Sequence, residues 1–259
     1  MEELSKLYDD LSSYYDQFCS HVNYEEQSDF AYRAFNCFAK ATERNYLDLA
    51  CGTGQHLKLM AEKGFTVTGL DNSSHMLDQA AIRCPQANLL RCDLAEFDFK
   101  ETFDLITCFL YSIHYSHPTA SLIETLKRAY AALKTGGIFI FDMVDKNGIA
   151  NDSGVIARID HEKEKLTFQS RWWYRGEGDV LDLLLSIERQ TTERKIDVEE
   201  KAAALQKWND HHIMTAVEIS QISLLMKQIG FDITVFDRNY DVFTEWDGLS
   251  SNVIVVGTK

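Results

Sequence analysis

The chain has 259 residues, of which 45% are hydrophobic and 12% aromatic, which is enough apolar material for the core of one α/β domain. With 26 Lys and Arg against 40 Asp and Glu, its formal net charge of −14 opposes contact with phosphate backbones, so we expect no nucleic-acid substrate. No apolar run approaches the ~20 residues of a membrane helix, and the N-terminus lacks a secretion signal, so we expect a cytoplasmic protein with no membrane partner.

The first part of the chain alternates between helix and strand patterns. Residues 4–42 predict one or two helices with aromatic faces. A cap at Ser73 or Ser74 predicts a helix to about Arg83, and the run 134–137 is the expected end of the following long helix. Short apolar runs predict strands at 46–50, 65–70, 88–91, 103–109 and 138–141. Strands separated by helices in this way indicate a mostly parallel sheet.

The alternation stops after residue 150. Three strand patterns follow one another without helices, at 155–159, 166–174 and 180–188, and predict an antiparallel insertion. Residues 192–206 fit no single element, although 199–206 contains good helix formers. A helix at 217–229 and strands at 231–237 and 252–258 close the chain. The predicted fold class is α/β: a Rossmann-like, doubly wound, mostly parallel seven-stranded sheet with an antiparallel β insertion, or lid, after the fifth strand.

We expect a single domain over residues 1–259. Its predicted parts are an N-terminal helical cap at 1–44, a cofactor-binding core at 45–150, the antiparallel lid insertion at 151–215, and a closing helix and strands at 216–259.

A glycine turn follows the first predicted strand, with Gly52 and Gly54 just before a helix. Glycines let the backbone approach a ligand closely, and ligands of open α/β sheets bind at the carboxyl ends of the strands. The third glycine of the dinucleotide fingerprint is missing, because Leu57 stands in its place. The turn therefore predicts a ligand site and argues against a bound diphosphate.

Acidic residues end the next two strands. Asp71 lies 17 positions after Gly54, where it can accept hydrogen bonds from both ribose hydroxyls of an adenosine. Asp93 and Leu94 follow the third strand, where an acidic and an apolar side chain can flank an adenine ring. For any one of these residues, a plain turn role is an alternative.

Together these segments resemble the class I S-adenosylmethionine-dependent methyltransferases over roughly residues 10–145. Residues 48–54 match the family motif Asp/Glu-x-x-x-Gly-x-Gly, and residues 71–77 match Asp-x-Ser-x-x-Met-Leu. Residues 134–137 match the family's Pro-Gly-Gly run, with Thr135 in place of the usual proline.

The resemblance implies S-adenosyl-L-methionine as cofactor and S-adenosyl-L-homocysteine as product. It implies that Asp48 organises the turn, that Asp71 binds the ribose, and that Met76 lies near the adenine. Phe109 would line the sulfonium end. The predicted cofactor-binding residues are Tyr14, Asp48, Ala50, Gly52, Gly54, Asp71, Asn72, Met76, Asp93, Leu94 and Phe109.

Within the family, the chain is similar to amino-sugar N-methyltransferases and glycine N-methyltransferase-like enzymes. The similarity rests on Tyr15-Asp16 with Tyr24, on the loop Ser112-Ile-His114-Tyr115, and on the predicted lid. It implies a small-molecule acceptor, methylated on an amine nitrogen by in-line displacement.

The predicted catalytic residues are His114, Tyr115 and Tyr15. An amine nucleophile must lose its proton, and His114 is the leading hypothesis for a base or for a residue that orients the substrate. The alternative is a loop histidine bonded to backbone. Tyr14 and Tyr15 would close over the cofactor or simply pack a helix, and the Trp208 to His212 segment would line the same cavity or only pack.

Other functions remain open at this point. An O-methyltransferase, a nicotinamide oxidoreductase using the same turn, and a non-catalytic binder of S-adenosylmethionine are the alternatives. We expect no metal, since the six cysteines and eight histidines show no ligand spacing, and we expect reduced cysteines. The protein would be a monomer or homodimer.

Overall fold

The computed structural model describes residues 12–41, 43–151, 154–161, 164–191 and 204–259. Its helices are α1 Ser12–Phe18, α2 Tyr24–Phe38, α3 Gln55–Glu62, α4 Ser74–Arg83, α5 Thr119–Ala132 and α6 Ile219–Ile229. Its strands are β1 Asn45–Leu49, β2 Thr66–Asp71, β3 Asn88–Arg91, β4 Phe103–Cys108, β5 Leu133–Val144, β6 Gly154–His161, β7 Glu164–Tyr174, β8 Val180–Thr191, β9 Ala204–Thr215, β10 Asp232–Asp237 and β11 Asn252–Thr258.

Seven strands form one sheet in the order β10-β11-β5-β4-β1-β2-β3. The strands from β3 to β5 are parallel, whereas β11 runs antiparallel to both β5 and β10. The neighbours of β1 are β2 on one side and β4 on the other, so the chain reverses its winding there and leaves a crevice at the carboxyl ends of the strands. The predicted fold class is confirmed.

Both faces of this sheet are covered, which explains the nearly continuous hydrophobicity of its central strands. On one face, buried side chains of α5 and α6, such as Leu126 and Met226, pack against the sheet. On the other face, Phe30 of α2 and Met60 of α3 do the same. The turns at the carboxyl edge of the sheet therefore start from strands that are packed on both faces.

The fifth strand differs from the prediction. It begins at Leu133, whereas the sequence analysis placed a turn at 134–137 and a strand only from residue 138. The register with β4 shifts between Phe103 and Leu105, so the glycine run is an irregularity inside the strand. Gly136 has φ of 80°, and a Cβ there would lie 2.9 Å from Lys40 Cβ. The glycines therefore bend the strand instead of ending the helix before it.

The insertion is a four-stranded antiparallel sheet in the order β6-β7-β8-β9. The sequence analysis identified the first three strands and missed β9, which pairs with β8 from Val180↔Thr215 to Thr191↔Ala204. The polar run in β9 hid its alternating pattern, because only every second residue faces the buried side. Most of the ambiguous segment 192–206, including its helix formers from 199 onward, lies outside the described residues, and Ala204–Gln206 are strand.

The two helices at the beginning of the described chain agree with the helical pattern of residues 4–42. Asn23 caps α2, since its Oδ1 accepts a hydrogen bond of 3.1 Å from the Glu26 backbone N–H. Helix α1 packs on the insertion, where the rings of Phe18 and Phe168 are 5.2 Å apart between centroids. Among the residues that the structure describes, no helix is long and apolar enough to cross a membrane.

Candidate functional site

The glycine turn connects β1 to α3 through three left-handed residues. Ala50, Gly52 and Gly54 have φ of 55°, 52° and 79°. A Cβ on Gly54 would lie 3.0 Å from Ala80 Cβ, so this glycine permits the close packing of α3 on α4. A Cβ on Gly52 would meet nothing within 4 Å. Gly52 therefore borders open space at the carboxyl edge of the sheet.

Asp71, at the end of β2, holds the glycine turn in place. Its Oδ2 accepts a hydrogen bond of 2.9 Å from the Gly52 backbone N–H, and its Oδ1 accepts one of 2.9 Å from the Ser73 N–H. Burial raises the pKa of this carboxyl, although the backbone donors act in the opposite direction. A carboxylate has about four lone-pair sites, so Asp71 retains acceptor capacity for ligand hydroxyls.

Asp48, within β1, presents an unpaired carboxylate oxygen. Its Oδ1 accepts a hydrogen bond of 2.8 Å from Thr107 Oγ1, whereas its Oδ2 has no hydrogen-bond partner among the described residues. Burial raises the pKa of Asp48 to about 7. The nearest cationic candidate is His56, whose Nδ1 lies 3.9 Å from Oδ2.

His56 does not supply a positive charge next to Asp48. Burial lowers its pKa to about 3, so the ring is neutral near pH 7. Its Nε2 lies 2.8 Å from Gln27 Oε1, an acceptor, and therefore carries the ring hydrogen. The bare Nδ1 then faces Asp48 Oδ2, which places two acceptors side by side. Such a pair is satisfied by a ligand group that donates hydrogen bonds, above all an ammonium.

These groups border a small hollow at the glycine turn, which also includes Phe109 and Leu110 from the end of β4 and Tyr15 from α1. The ring of Phe109 packs against the His56 ring, with centroids 5.1 Å apart. Leu110 and Tyr111 both have φ of 59°, a conformation that costs a residue with a side chain roughly 1–2 kcal/mol. Strain of this kind collects at ligand sites.

The residues predicted for the adenosine end lie along the neighbouring strand ends. Met76 is buried in α4, and Leu94 packs into the core next to the end of β3. Asn72 and Asp93 are exposed, and Asp93 Oδ1 accepts a hydrogen bond of 2.9 Å from the Ala95 N–H. The structure thus brings the predicted residues to one edge of the sheet, while their individual roles stay predictions.

A second and larger cleft of about 680 Å³ adjoins the hollow. It lies between α1, the loop after β4, the loop after β10 and the insertion, with Tyr15 and Leu110 bordering both spaces. Its walls are largely aromatic and aliphatic, from Phe18, Trp172, Leu183 and Met214 among others. This volume falls within the usual range of small-molecule sites.

An arginine borders this cleft and is held by a buried carboxylate. Arg238 Nε donates to Asp142 Oδ2 at 2.9 Å, and Tyr240 Oη donates to the same oxygen at 2.8 Å. Asp142 Oδ1 accepts from the Tyr111 backbone N–H at 2.8 Å. Burial opposes the charge of Arg238, but the carboxylate of Asp142 holds the pKa of the guanidinium above its ordinary value. The sequence analysis missed this cluster, because Arg238 and Asp142 are distant in the chain.

His114, the predicted base, is bonded to backbone through both ring nitrogens. Its Nδ1 lies 2.7 Å from the Thr215 carbonyl oxygen, and its Nε2 accepts a hydrogen bond of 3.2 Å from the Val144 N–H. The side chain is buried, and burial lowers its pKa. This arrangement joins β5 to β9 and disfavours uptake of a substrate proton, so the alternative of a backbone-bonded histidine fits the geometry better.

The other predicted catalytic residues do reach the cleft. Tyr115 borders it, and its hydroxyl lies 3.0 Å from His212 Nδ1. Tyr15 borders both the cleft and the hollow, and the side chain of Tyr14 lies outside the described part of the chain.

Helix α1 is tied to the glycine turn next to Tyr15. Asp16 Oδ1 accepts a hydrogen bond of 2.6 Å from Thr53 Oγ1, and Arg83 forms an ion pair with the other carboxylate oxygen. The sequence analysis used Asp16 only as part of a motif. No local signal reveals its partner in the turn, 37 residues away.

Comparisons with known proteins identify a family model, relatives and solved structures that are similar to this chain. Residues 47–137 match the family model described as a methyltransferase domain. A dTDP-3-amino-3,6-dideoxy-alpha-D-glucopyranose N,N-dimethyltransferase of Streptomyces fradiae is 36% identical over 96 residues, which are 37% of this chain and 38% of that protein. The protein YqeM of Bacillus subtilis (strain 168) is 33% identical over 141 residues, 53% of this chain and 55% of YqeM. The chain therefore spans about half or less of the length of these curated relatives.

Among solved structures, the sugar N-methyltransferase KedS8 from Streptoalloteichus sp ATCC 53650 superposes with a TM-score of 0.77. The superposition covers 95% of this chain and 93% of KedS8, at 19% sequence identity, and it shows the shared fold. The predicted likeness to class I S-adenosylmethionine-dependent methyltransferases, and to the amino-sugar N-methyltransferases among them, is confirmed.

Proposed function

We propose that the chain is an S-adenosylmethionine-dependent methyltransferase that methylates an amine nitrogen of a small molecule. The observation that carries this proposal is the pair of adjoining spaces that share Tyr15 and Leu110. One is a hollow at the glycine turn with an unpaired carboxylate oxygen, and the other is a cleft of small-molecule size. Two sites that meet at one point suit the transfer of a group from one ligand to another.

The residues at the hollow fit this cofactor. Asp48 Oδ2 and His56 Nδ1 would receive the ammonium of its methionine part, and Gly52 leaves room for its chain. Asp71 would accept the ribose hydroxyls, and Asp93 would lie at the adenine edge. Bound there, S-adenosylmethionine would supply a methyl group already activated by a sulfonium.

The protein's side chains would then have to exclude water, align the acceptor with the methyl group and allow the acceptor amine to lose its proton. Tyr15, Phe109 and Leu110 would exclude water from the junction of the two spaces and hold the acceptor in line. When an enzyme aligns two reactants, the activation barrier of a transfer of this kind falls by roughly 7–11 kcal/mol. In addition, the acceptor amine must reach the reaction without its proton.

The relatives guide the choice of acceptor. The Streptomyces fradiae protein is named for an amino sugar linked to dTDP, which carries an amine and two phosphates. Arg238 places a cation at the cleft of a chain with a net charge of −14. Its guanidinium has further N–H donors beyond the Nε–H that Asp142 accepts. We therefore propose an amino sugar with an anionic substituent as the acceptor, in a cytoplasmic setting.

The first test is calorimetric titration of the purified protein with S-adenosylmethionine, S-adenosylhomocysteine and NAD. Micromolar binding of the two adenosyl sulfur compounds without NAD binding is the expected result. Binding of NAD alone would replace the proposal with a nicotinamide-dependent oxidoreductase.

The second test is a methylation assay with dTDP-3-amino-3,6-dideoxy-α-D-glucopyranose and its 3-hydroxy counterpart. Methylation of the amine alone supports the proposal. Methylation of the hydroxyl compound alone would make the protein an O-methyltransferase. Tight cofactor binding without turnover of any amine or hydroxyl acceptor would make it a non-catalytic binder.

A further inference from the structure

Three side chains lie in a row from the cleft into the insertion, joined by one hydrogen bond and one close contact between an imidazole and a carboxylate. The Tyr115 hydroxyl lies 3.0 Å from His212 Nδ1, and His212 Nε2 lies 3.1 Å from Asp210 Oδ2. Tyr115 belongs to the short 3₁₀ helix after β4, whereas the other two residues lie on β9. The contact joins residues 97 positions apart in sequence.

Strand alternation places this row of side chains on the inner face of the second sheet. His212 and Asp210 share a face with Met214, which is buried and borders the cleft. His212 pairs in register with Leu183, another residue of the cleft wall. Tyr115 itself borders the cleft, while His212 is buried behind it. The order leading away from the cleft is therefore tyrosine, histidine, aspartate.

The carboxylate fixes the direction of the hydrogen bonds. Asp210 Oδ1 accepts a hydrogen bond of 3.0 Å from the His211 backbone N–H, which holds the carboxylate in place. Its Oδ2 lies 3.1 Å from His212 Nε2, and an oxygen that can only accept favours the ring form with its hydrogen on Nε2. His212 Nδ1 is then the acceptor, and the Tyr115 hydroxyl donates to it.

We propose that Tyr115 removes the proton from the acceptor amine, with His212 and Asp210 as a relay behind it. The acceptor's N–H bond breaks and its proton bonds to Tyr115 Oη, while the hydroxyl proton of Tyr115 passes to His212 Nδ1. The amine regains its lone pair, Tyr115 remains neutral, and the imidazolium pairs with Asp210. The proton returns to solvent after the product leaves.

This inference rests on the proposed function, and it follows the logic of nucleophile, histidine and carboxylate that hydrolases use. It also assigns different roles to His114 and Tyr115, which are neighbours in the sequence. Both ring nitrogens of His114 are occupied by backbone groups, whereas Tyr115 borders the cleft and its hydroxyl has a histidine behind it. In this scheme Tyr115 touches the substrate, and His212 and Asp210 are positioning residues.

The first experiment needs no acceptor and no cofactor. Nitrogen-15 NMR of the protein labelled at histidine, with His212→Gln to assign the signal, reports which ring nitrogen carries hydrogen. We expect the Nε2–H form for His212, and a loss of that preference in Asp210→Asn. An Nδ1–H form in the unaltered protein would overturn the relay, since Nδ1 could then not accept from Tyr115.

The second experiment measures kcat and KM with dTDP-3-amino-3,6-dideoxy-α-D-glucopyranose. Loss of general-base action typically costs about 10²–10⁴-fold in rate, and we expect kcat to fall at least ~100-fold in Tyr115→Phe with cofactor affinity unchanged. His212→Gln should lose a similar factor, and the double variant should be no slower than Tyr115→Phe alone. If the double variant instead showed the combined losses of the two single variants, the two residues would act independently and the relay would be overturned.

The chain offers a matched control on the same strand. His211 pairs with Asp182 through Nε2 at 2.7 Å on the opposite, exposed face of the second sheet. His211→Gln should therefore leave kcat within twofold of the unaltered protein, and an equal loss in His211→Gln and His212→Gln would mean that the strand, not the relay, was disturbed. Absence of cofactor binding in the unaltered protein would remove the proposed function. Intact binding with the wrong His212 tautomer would remove only the relay.

Discussion

The hollow at the glycine turn and the larger cleft are built in different ways. At the carboxyl edge of the seven-stranded sheet, the geometry depends on backbone: left-handed residues in the glycine turn, and amides of Gly52 and Ser73 held by Asp71. Around the cleft, the contacts are mostly between side chains from distant segments, such as Arg238 with Asp142 and Tyr115 with His212. The first kind of site is specified locally, and the second only by the assembled fold.

Substitution of Asp71 should have the largest effect, because it tests the backbone-built site directly. Asp71→Ala leaves the amides of Gly52 and Ser73 without their acceptor, and hydrogen bonds to a charged group contribute about 1.5–3 kcal/mol each. We expect S-adenosylmethionine affinity to fall at least ~100-fold in calorimetry. Asp78→Ala, an exposed change on α4, is the control. An unchanged affinity in Asp71→Ala would mean that the glycine turn keeps its conformation without Asp71.

Substitution of His114 should act on stability more than on chemistry. His114→Ala leaves the Thr215 carbonyl and the Val144 N–H unpaired in the interior, at a cost of about 1–3 kcal/mol for each buried group. We expect a clear decrease in the free energy of unfolding by urea denaturation. Turnover per folded molecule should stay within threefold of the unaltered protein. A much larger loss of turnover at unchanged cofactor affinity would restore the base hypothesis for His114.

Substitution of Arg238 tests the side-chain-built site. Arg238→Met keeps much of the packing against Tyr111 and Tyr240 but removes the cation from the cleft. We expect KM for the dTDP-linked amino sugar to rise at least ~10-fold, with S-adenosylmethionine affinity unchanged. Lys127→Met, a change at an exposed lysine of α5, is the control. An equal loss of affinity for the amino sugar and for S-adenosylmethionine would mean that the two sites are not separate.

The smallest expected effect is a pH dependence of cofactor binding through Asp48. Its pKa of about 7 without ligand lies well above the ordinary value, and a bound ammonium would lower it. The carboxylate must then release a proton on binding, so affinity should increase several-fold as pH rises from 6 to 7.5. Titration in buffers of different ionisation enthalpy measures that release. Asp48→Asn should abolish the dependence, and a dependence that persists there would assign it to another group.

Much of the first sheet could be predicted from the sequence, because each of its signals is local. The cap at Ser73, the turn at Gly52 and the acid at Asp71 each follow from a few consecutive residues. The fifth strand was misjudged, since a glycine run reads as a helix stop whether or not the chain continues as a bent strand.

The second site could not be predicted for a physical reason. Hydrogen bonds between side chains depend on the register of strands that are far apart in the chain, and β9 has a polar pattern that conceals it. Sequence reasoning named Tyr115 as catalytic from its loop, but nothing near Tyr115 in the chain indicates His212 as its partner. Likewise, nothing near Asp142 in the chain indicates Arg238 as its partner, 96 positions away.

Helix α1 touches both sites at once, and this gives it a thermodynamic role. Asp16 binds Thr53 in the glycine turn, Phe18 packs on Phe168 of the second sheet, and Tyr15 borders both spaces. Any displacement of α1 that one ligand causes would therefore change the affinity for the other ligand. By reciprocity, whatever factor the cofactor contributes to acceptor affinity, the acceptor must contribute to cofactor affinity. Under the proposed function, the short helix would link the binding of cofactor and acceptor in a single equilibrium.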